Sequence, residues 1–198
     1  MLYRLARILL KPFLWLWYCP KVYNRKALRR KGKVIYVANH LSTQDPIAVG
    51  LVTPRNIHFM AKSPLFERRL NRILLTGMLC FPVSQRMADL KSIKHAVELL
   101  EQGEAFGIFP EGHRSVGADM TDDFDKGAAF IALRADAPIV PMYLRHKKQF
   151  FGRLCVAVGE PIFPEEVKAR CKGKKAVDAL NLAMMHEMLR LRETAEEM

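Results

Sequence analysis

Short runs of wholly apolar residues, each cut off by a polar turn, constrain this chain most. Val34–Ala38 reads VIYVA and stops at Asn39-His40, while Ala105–Phe109 reads AFGIF and stops at Pro110-Glu111-Gly112. A brief run without polar alternation reads as a strand covered on both faces, the pattern of a parallel sheet. Ile57–Ala61, Cys80–Ser84, Ile139–Leu144 and Leu154–Val158 add strand signals. Between them, Pro46–Val52, Leu65–Gly77, Leu90–Glu101 and Gly127–Arg134 read as helices, and Lys174–Ala195 as a long amphipathic terminal helix. Strands alternating with helices predict an α/β fold, a mostly parallel β-sheet flanked by helices.

At 198 residues, one compact domain with a sizeable core is the expectation. Four cysteines without a C-x-x-C pair support neither a disulfide framework nor a zinc site. His58, His95, His146 and His186 are scattered without ligand spacing, so no metal and no cofactor is read. The longest uncharged stretch, Ile73–Gln85, has thirteen residues, too few for a membrane-spanning helix.

The net charge of +12 is concentrated at one end. Residues 1–33 hold ten Lys or Arg and no acid, and the first carboxylate is Asp45. The cations alternate with Leu2, Leu5, Ile8, Leu9, Phe13, Trp15, Leu16, Trp17 and Tyr18, followed by the polybasic run Arg25–Lys33. Aliphatic bulk, interfacial rings and cations together suit a helix lying on an anionic membrane surface. A signal peptide fits poorly, because Lys11 interrupts the apolar stretch and Cys19-Pro20 is a poor cleavage site. A nucleic-acid arm would not need so wide an aliphatic face. A helix packed on its own domain stays open as an alternative. The division expected is residues 1–32 as a basic amphipathic membrane-anchoring arm and 33–198 as an α/β domain.

Ligands of such sheets bind beyond the carboxyl ends of the strands. Three polar clusters fall there: Asn39-His40, Ser84-Gln85-Arg86, and Glu111-Gly112-His113-Arg114-Ser115. His40 and Asp45 are five apart across a turn, where the carboxylate can fold back on the imidazole, fix its tautomer and leave the other nitrogen as a base. Taken alone, H-x-x-x-x-D is a weak pattern. Arg114 can bind a phosphate bidentately, and Gly112 lets backbone N–H groups approach a ligand. Lys62 and Arg86 are further phosphate candidates. The bland alternatives are a solvated loop and plain surface cations. No G-x-S-x-G elbow and no P-loop occurs, so covalent serine chemistry and nucleoside triphosphate use lack support.

Taken together, these segments resemble the glycerolipid acyltransferases, above all the 1-acylglycerol-3-phosphate (lysophosphatidic acid) acyltransferases. NHLSTQD at 39–45 is similar to that family's N-H-x-S-x-x-D block, and MAK at 60–62 to its lysine-bearing segment. FPVSQR at 81–86 is similar to its second block, with Gln85 where an acid is common. FPEGHRS at 109–115 is similar to the third, with His113 replacing the usual Thr. DKGAAF at 125–130 and APIVP at 137–141 look like later blocks. Ordered blocks over roughly residues 33–145 are far more specific than any one of them.

The resemblance implies transfer of a fatty acyl group from a thioester, acyl-coenzyme A or acyl carrier protein, to the free hydroxyl of lysophosphatidic acid. His40 is then general base and Asp45 its orienter. Lys62, Arg86 and Arg114 would hold the acceptor phosphate, with Glu111 and Gly112 positioning the glycerol or supporting the oxyanion. Neither a covalent acyl-enzyme nor a metal is required. Ile73–Gln85 is a candidate wall for an acyl groove, or else Ile73–Leu79 is simply core helix. Expected partners are the phosphate-bearing lipid acceptor, the acyl carrier and an anionic membrane surface, with no nucleic acid, at the cytoplasmic membrane face. The altered second block leaves glycerol-3-phosphate or another lysophospholipid open as acceptor. A non-catalytic anionic-membrane-binding protein is the alternative from another class.

Overall fold

The structure, a computed structural model, describes residues 2–83, 90–112, 124–146 and 154–198, with side chains from residue 9 onward. Its elements in chain order are α1 (Leu2–Tyr18), β1 (Lys21–Tyr23), β2 (Val34–Ala38), α2 (Asp45–Val52), β3 (Ile57–Lys62), α3 (Arg69–Gly77) and β4 (Cys80–Val83). Then follow α4 (Leu90–Glu101), β5 (Ala105–Ile108), α5 (Gly127–Ala135), β6 (Ile139–His146), β7 (Leu154–Val158), α6 (Pro164–Arg170) and α7 (Lys174–Glu197).

The strands form one seven-stranded sheet in the order β1-β7-β6-β2-β5-β3-β4, with every neighbouring pair parallel except β6 and β7. The expected α/β class and mostly parallel sheet are therefore present. β2 is central and buried along its whole length, as its unbroken apolar run requires. Its side chains alternate between two cores. Val34, Tyr36 and Ala38 face α2 and the end of α1, while Ile35 and Val37 face α4, α5 and α7.

Three elements escaped the sequence reading: β1, the tight helical turn Arg25–Arg29, and α6. β1 pairs with β7, and the turn buries Ala27 and Leu28, whose carbonyl accepts a 2.8 Å bond from the Tyr36 hydroxyl. The polybasic stretch is thus tied to the domain. In α1, Leu14, Trp15 and Tyr18 pack against the core, whereas Leu9, Leu10, Phe13, Leu16 and Trp17 are exposed. α1 is consequently both a packed helix and the carrier of an uncovered apolar face. The helix expected over Leu65–Gly77 begins as a single tight turn, Ser63–Phe66, before α3. No residue of α3 is buried, nor are Met78 and Leu79, which rules out the core-helix reading of Ile73–Leu79.

One glycine is required by close approach. Gly107 on β5 lies beside Phe59 of β3, and a Cβ there would strike the Phe59 ring. That ring stacks on Phe109 at 5.8 Å, just beyond the end of β5. Gly107→Ala is expected to cost about 1–3 kcal/mol by overpacking, read as a lower denaturation midpoint.

Candidate active site

At the carboxyl end of β2 the chain turns sharply, and Asn39 explains how. β6 continues past the end of β2, leaving the Leu144 N–H and C=O without a strand partner on that side. The buried Asn39 side chain supplies both halves: its Nδ2 donates to the Leu144 carbonyl at 3.0 Å, and its Oδ1 accepts from the Leu144 N–H at 2.6 Å. A side-chain amide thereby replaces the next rung of the ladder, and the backbone is free to leave the sheet at His40.

The turn closes on Asp45, the first residue of α2, whose side chain is fully hidden from solvent. Its Oδ2 accepts the backbone N–H groups of Leu41 at 2.7 Å and Ser42 at 2.6 Å, and His40 Nδ1 at 2.9 Å. Its Oδ1 accepts His146 Nε2 at 2.8 Å. Burial alone would raise the Asp45 pKa. Hydrogen bonds from His146, His40 and the Ser42 backbone, with the charge interaction with His146, override it and lower the pKa from 3.8 to about 2. An ionised carboxylate accepts only, so both facing imidazole nitrogens carry protons. His40 is left with Nε2 as its acceptor, on a ring that keeps 20% exposure.

The rest of the site comes from β5. The Phe109 ring stacks on His40 at a 4.4 Å centroid distance and a 22° interplanar angle. Glu111, 4% exposed, accepts the His40 backbone N–H at 3.2 Å through Oε1. Gly112 follows at φ +65°, the left-handed backbone that a Cβ disfavours, with its N–H bonded to the Phe109 carbonyl. Tyr18, at the end of α1, donates to Gln44 Oε1 at 2.7 Å and sets its ring edge-on to His146 at 6.4 Å. Burial, and then the Asp45 charge, raise the Tyr18 pKa, which keeps the phenol protonated.

Of the residues singled out in the sequence, His40, Asp45 and Glu111 are joined by hydrogen bonds, with Gly112 adjoining. Lys62 stands exposed at the carboxyl end of β3, at the same edge of the sheet, and no described bond ties it to the His40–Asp45 pair. Arg86 and Arg114 lie outside the described residues, as do Ser84, Gln85, His113 and Ser115. Sequence reasoning missed His146, setting it aside as one of four scattered histidines. The signal was present: it follows the apolar run Ile139–Leu144, at a strand's carboxyl end, as His40 does after Val34–Ala38.

This arrangement provides a buried anionic orienter and a mostly buried imidazole whose Nε2 has no bond among the described residues, beside the exposed Gly112 turn. It is suited to taking a proton from a hydroxyl as that hydroxyl attacks an electrophile.

Comparison with known proteins finds relatives named as acyltransferases. A 1-acyl-sn-glycerol-3-phosphate acyltransferase of Bacillus subtilis is 29% identical over 184 residues, covering 90% of either chain. The enzyme of that name from Borreliella burgdorferi is 31% identical over 128 residues, 62% of this chain and 49% of its own. The human beta form is 26% identical over 189 residues, 89% of this chain and 67% of its own. Among solved structures, the 1-acyl-sn-glycerophosphate (LPA) acyltransferase PlsC from Thermotoga maritima has the same fold, with a TM-score of 0.69 at 19% identity over 96% of this chain and 79% of that one. The family model for acyltransferases matches residues 19–145, a span running from the end of α1 through β2 and the Glu111 turn almost to His146. With that match covering well over half its length, the chain belongs to the acyltransferase family.

Proposed function

We propose that this acyltransferase moves a fatty acyl group from a thioester, acyl-coenzyme A or acyl carrier protein, to the free hydroxyl of lysophosphatidic acid, forming phosphatidic acid. The observation that carries the reading is the His40–Asp45 pair, 2.9 Å apart beyond the end of the central strand. His40 Nε2 takes the hydroxyl proton as the oxygen attacks the thioester carbonyl. The tetrahedral adduct collapses with loss of the thiolate, which receives that proton from His40, so no acyl-enzyme forms. Asp45 holds the tautomer and stabilises the transient imidazolium. The acceptor class is supported by the names of the relatives and by the ordered blocks. Lys62, Arg86 and Arg114 are assigned to the acceptor phosphate, with Glu111 and Gly112 positioning the glycerol or the developing oxyanion.

The reaction needs a lipid acceptor, and the apolar face of α1 offers a way to reach it. No helix among the described residues is long and apolar enough to cross a membrane. Leu9, Leu10, Phe13, Leu16 and Trp17 are instead exposed on a chain whose excess positive charge is concentrated in its first 33 residues. The right-handed crossover from β3 to β4 puts α3 on the α2 side of the sheet, adding exposed Leu70, Ile73 and Leu74 beside Arg68, Arg69 and Arg72. We assign this layer to peripheral docking on the anionic cytoplasmic leaflet, where thioester donors are made. Leu9→Ser/Phe13→Ser/Leu16→Ser is expected to move the folded protein from the vesicle pellet to the supernatant with anionic liposomes. Undiminished pelleting would refute the anchor.

The decisive experiment is thiol release by the purified chain in lipid or mild detergent. The donors are long-chain acyl-coenzyme A and acyl carrier protein; the acceptors are lysophosphatidic acid, glycerol-3-phosphate and a zwitterionic lysolipid. Release dependent on lysophosphatidic acid is expected. Release with another acceptor alone keeps the mechanism and moves the substrate, and none with any pairing overturns the reading.

A further inference from the structure

We infer that His146 is a positioning residue for the reaction, one of two histidines that clamp Asp45 so that its other oxygen meets His40. The inference rests on the catalytic reading of His40 and Asp45 above, and it concerns a residue just outside the span that the family model matches.

A carboxylate held only by its own turn would be free to rotate. Turning Asp45 about its last torsion exchanges or misaligns its two oxygens, and the alignment of Oδ2 with His40 Nδ1 depends on that angle. Leu41 and Ser42 N–H groups hold Oδ2 from one side, but both come from the same short turn as His40 and move with it. His146 is the anchor from outside that turn. It is the last residue of β6, 101 positions from Asp45, and its Nε2 donates to Oδ1 at 2.8 Å. Its position is itself secured: β6 pairs with β2 through Ala38 and Met142 and with β7 through His146 and Leu154. The Asn39 bonds to Leu144 tie β6 to the start of the catalytic turn. Asp45 is thus fixed at both oxygens, Oδ2 by the turn and Oδ1 by the sheet.

The groups around His146 suit this work. Asp45 is the carboxylate it meets, and the Tyr18 ring stands edge-on at 6.4 Å. Neighbouring Arg145 is directed elsewhere, its guanidinium donating to the Ala195 and Glu196 carbonyls at the end of α7. His146 does not bond His40 and is not assigned to substrate; it acts through Asp45.

The test is a pair of variants in the full chain. In H146Q the side-chain amide can place a donor near the position of Nε2; in H146L the volume remains and the donor is gone. H146L is expected to lower kcat about 10- to 100-fold, the scale of a small misplacement of a catalytic group, with little change in KM for thioester or lysophosphatidic acid. H146Q is expected to restore most of the loss, and both variants should melt cooperatively. Wild-type kcat in H146L would overturn the inference, as would equal losses in the two variants or a loss confined to KM. Proton NMR separates this from the fate of the catalytic reading. The hydrogen-bonded Nδ1–H resonance of His40 should be present in the wild type and H146Q and shifted or exchange-broadened in H146L, whichever acceptor is used. An unaltered resonance in H146L overturns the clamp, even where the wild type transfers acyl groups. A wild type inactive with every acceptor overturns the catalytic reading instead.

Discussion

His40→Ala is expected to lower kcat by about 10²–10⁴-fold, the usual contribution of a positioned general base, while the chain stays folded. The attacking hydroxyl is a poor nucleophile at neutral pH, and His40 is joined to the ionised orienter through Nδ1 with Nε2 to spare. Folding should survive because Asp45 keeps three of its four donors: the Leu41 and Ser42 N–H groups and His146 Nε2. The stacked Phe109 ring loses its partner, a cost of about 1 kcal/mol on top of the lost hydrogen bond. Steady-state thiol release with wild type and variant, alongside circular dichroism, measures both. Undiminished kcat in folded His40→Ala would remove His40 from the mechanism and require another general base.

Asp45→Asn should be as damaging to rate and more damaging to stability. The four donors around Asp45 require acceptors, and an amide offers one oxygen and an NH₂ group. Keeping the oxygen toward Leu41, Ser42 and His40 sets the NH₂ against His146 Nε2; the opposite orientation sets it against three donors. Either way a buried donor is unpaired or an imidazole changes tautomer, and the imidazolium loses its counter-charge. A fall in kcat of about 10³–10⁴-fold is expected, as where the orienting carboxylate of a triad becomes an amide.

The same residue predicts an acid response. Its folded pKa, about 2, lies below the ordinary 3.8, so folding favours the ionised form. The contribution, about 2 kcal/mol, is fully present above about pH 4 and is lost as pH falls toward 2. Denaturation curves from pH 6 to pH 2 should therefore show a steeper loss in the wild type than in Asp45→Asn. Parallel curves would mean that Asp45 is not held ionised by its partners.

How legible the molecule was in its sequence differed by element. Val34–Ala38 and Leu154–Val158 match the observed strands because buried strands of a parallel sheet are apolar on both faces. Leu90–Glu101 matches because its helical periodicity ends at Gly103, which adopts φ +79°. β1 was not legible: three residues, KVY, exposed at two positions, are held by pairing with Cys155–Ala157 rather than by any local pattern. α6 was hidden as well, a single short basic-acidic segment begun by Pro164. Leu65–Gly77 was misjudged at its start, since Ser63–Phe66 turns tightly at Pro64 before α3 begins at Arg69.

Local sequence was enough to establish an α/β chain, its positive charge concentrated at one end, and a His40–Asp45 pair within reach of contact. That pairing follows because only four residues, Leu41–Gln44, separate the two partners, so the contact is local. Which distant groups complete the site depends on the packing of the sheet. His146, Glu111 and Phe109 lie more than sixty residues from His40 and reach it because parallel crossovers align the carboxyl ends of β2, β5 and β6 side by side. Strand order is set by long-range hydrogen bonding and burial on both faces of the sheet, which no local spacing encodes. Asn39 shows the same division: its place beyond a strand is visible in the sequence, but its two hydrogen bonds to Leu144 exist only once β2 and β6 are neighbours.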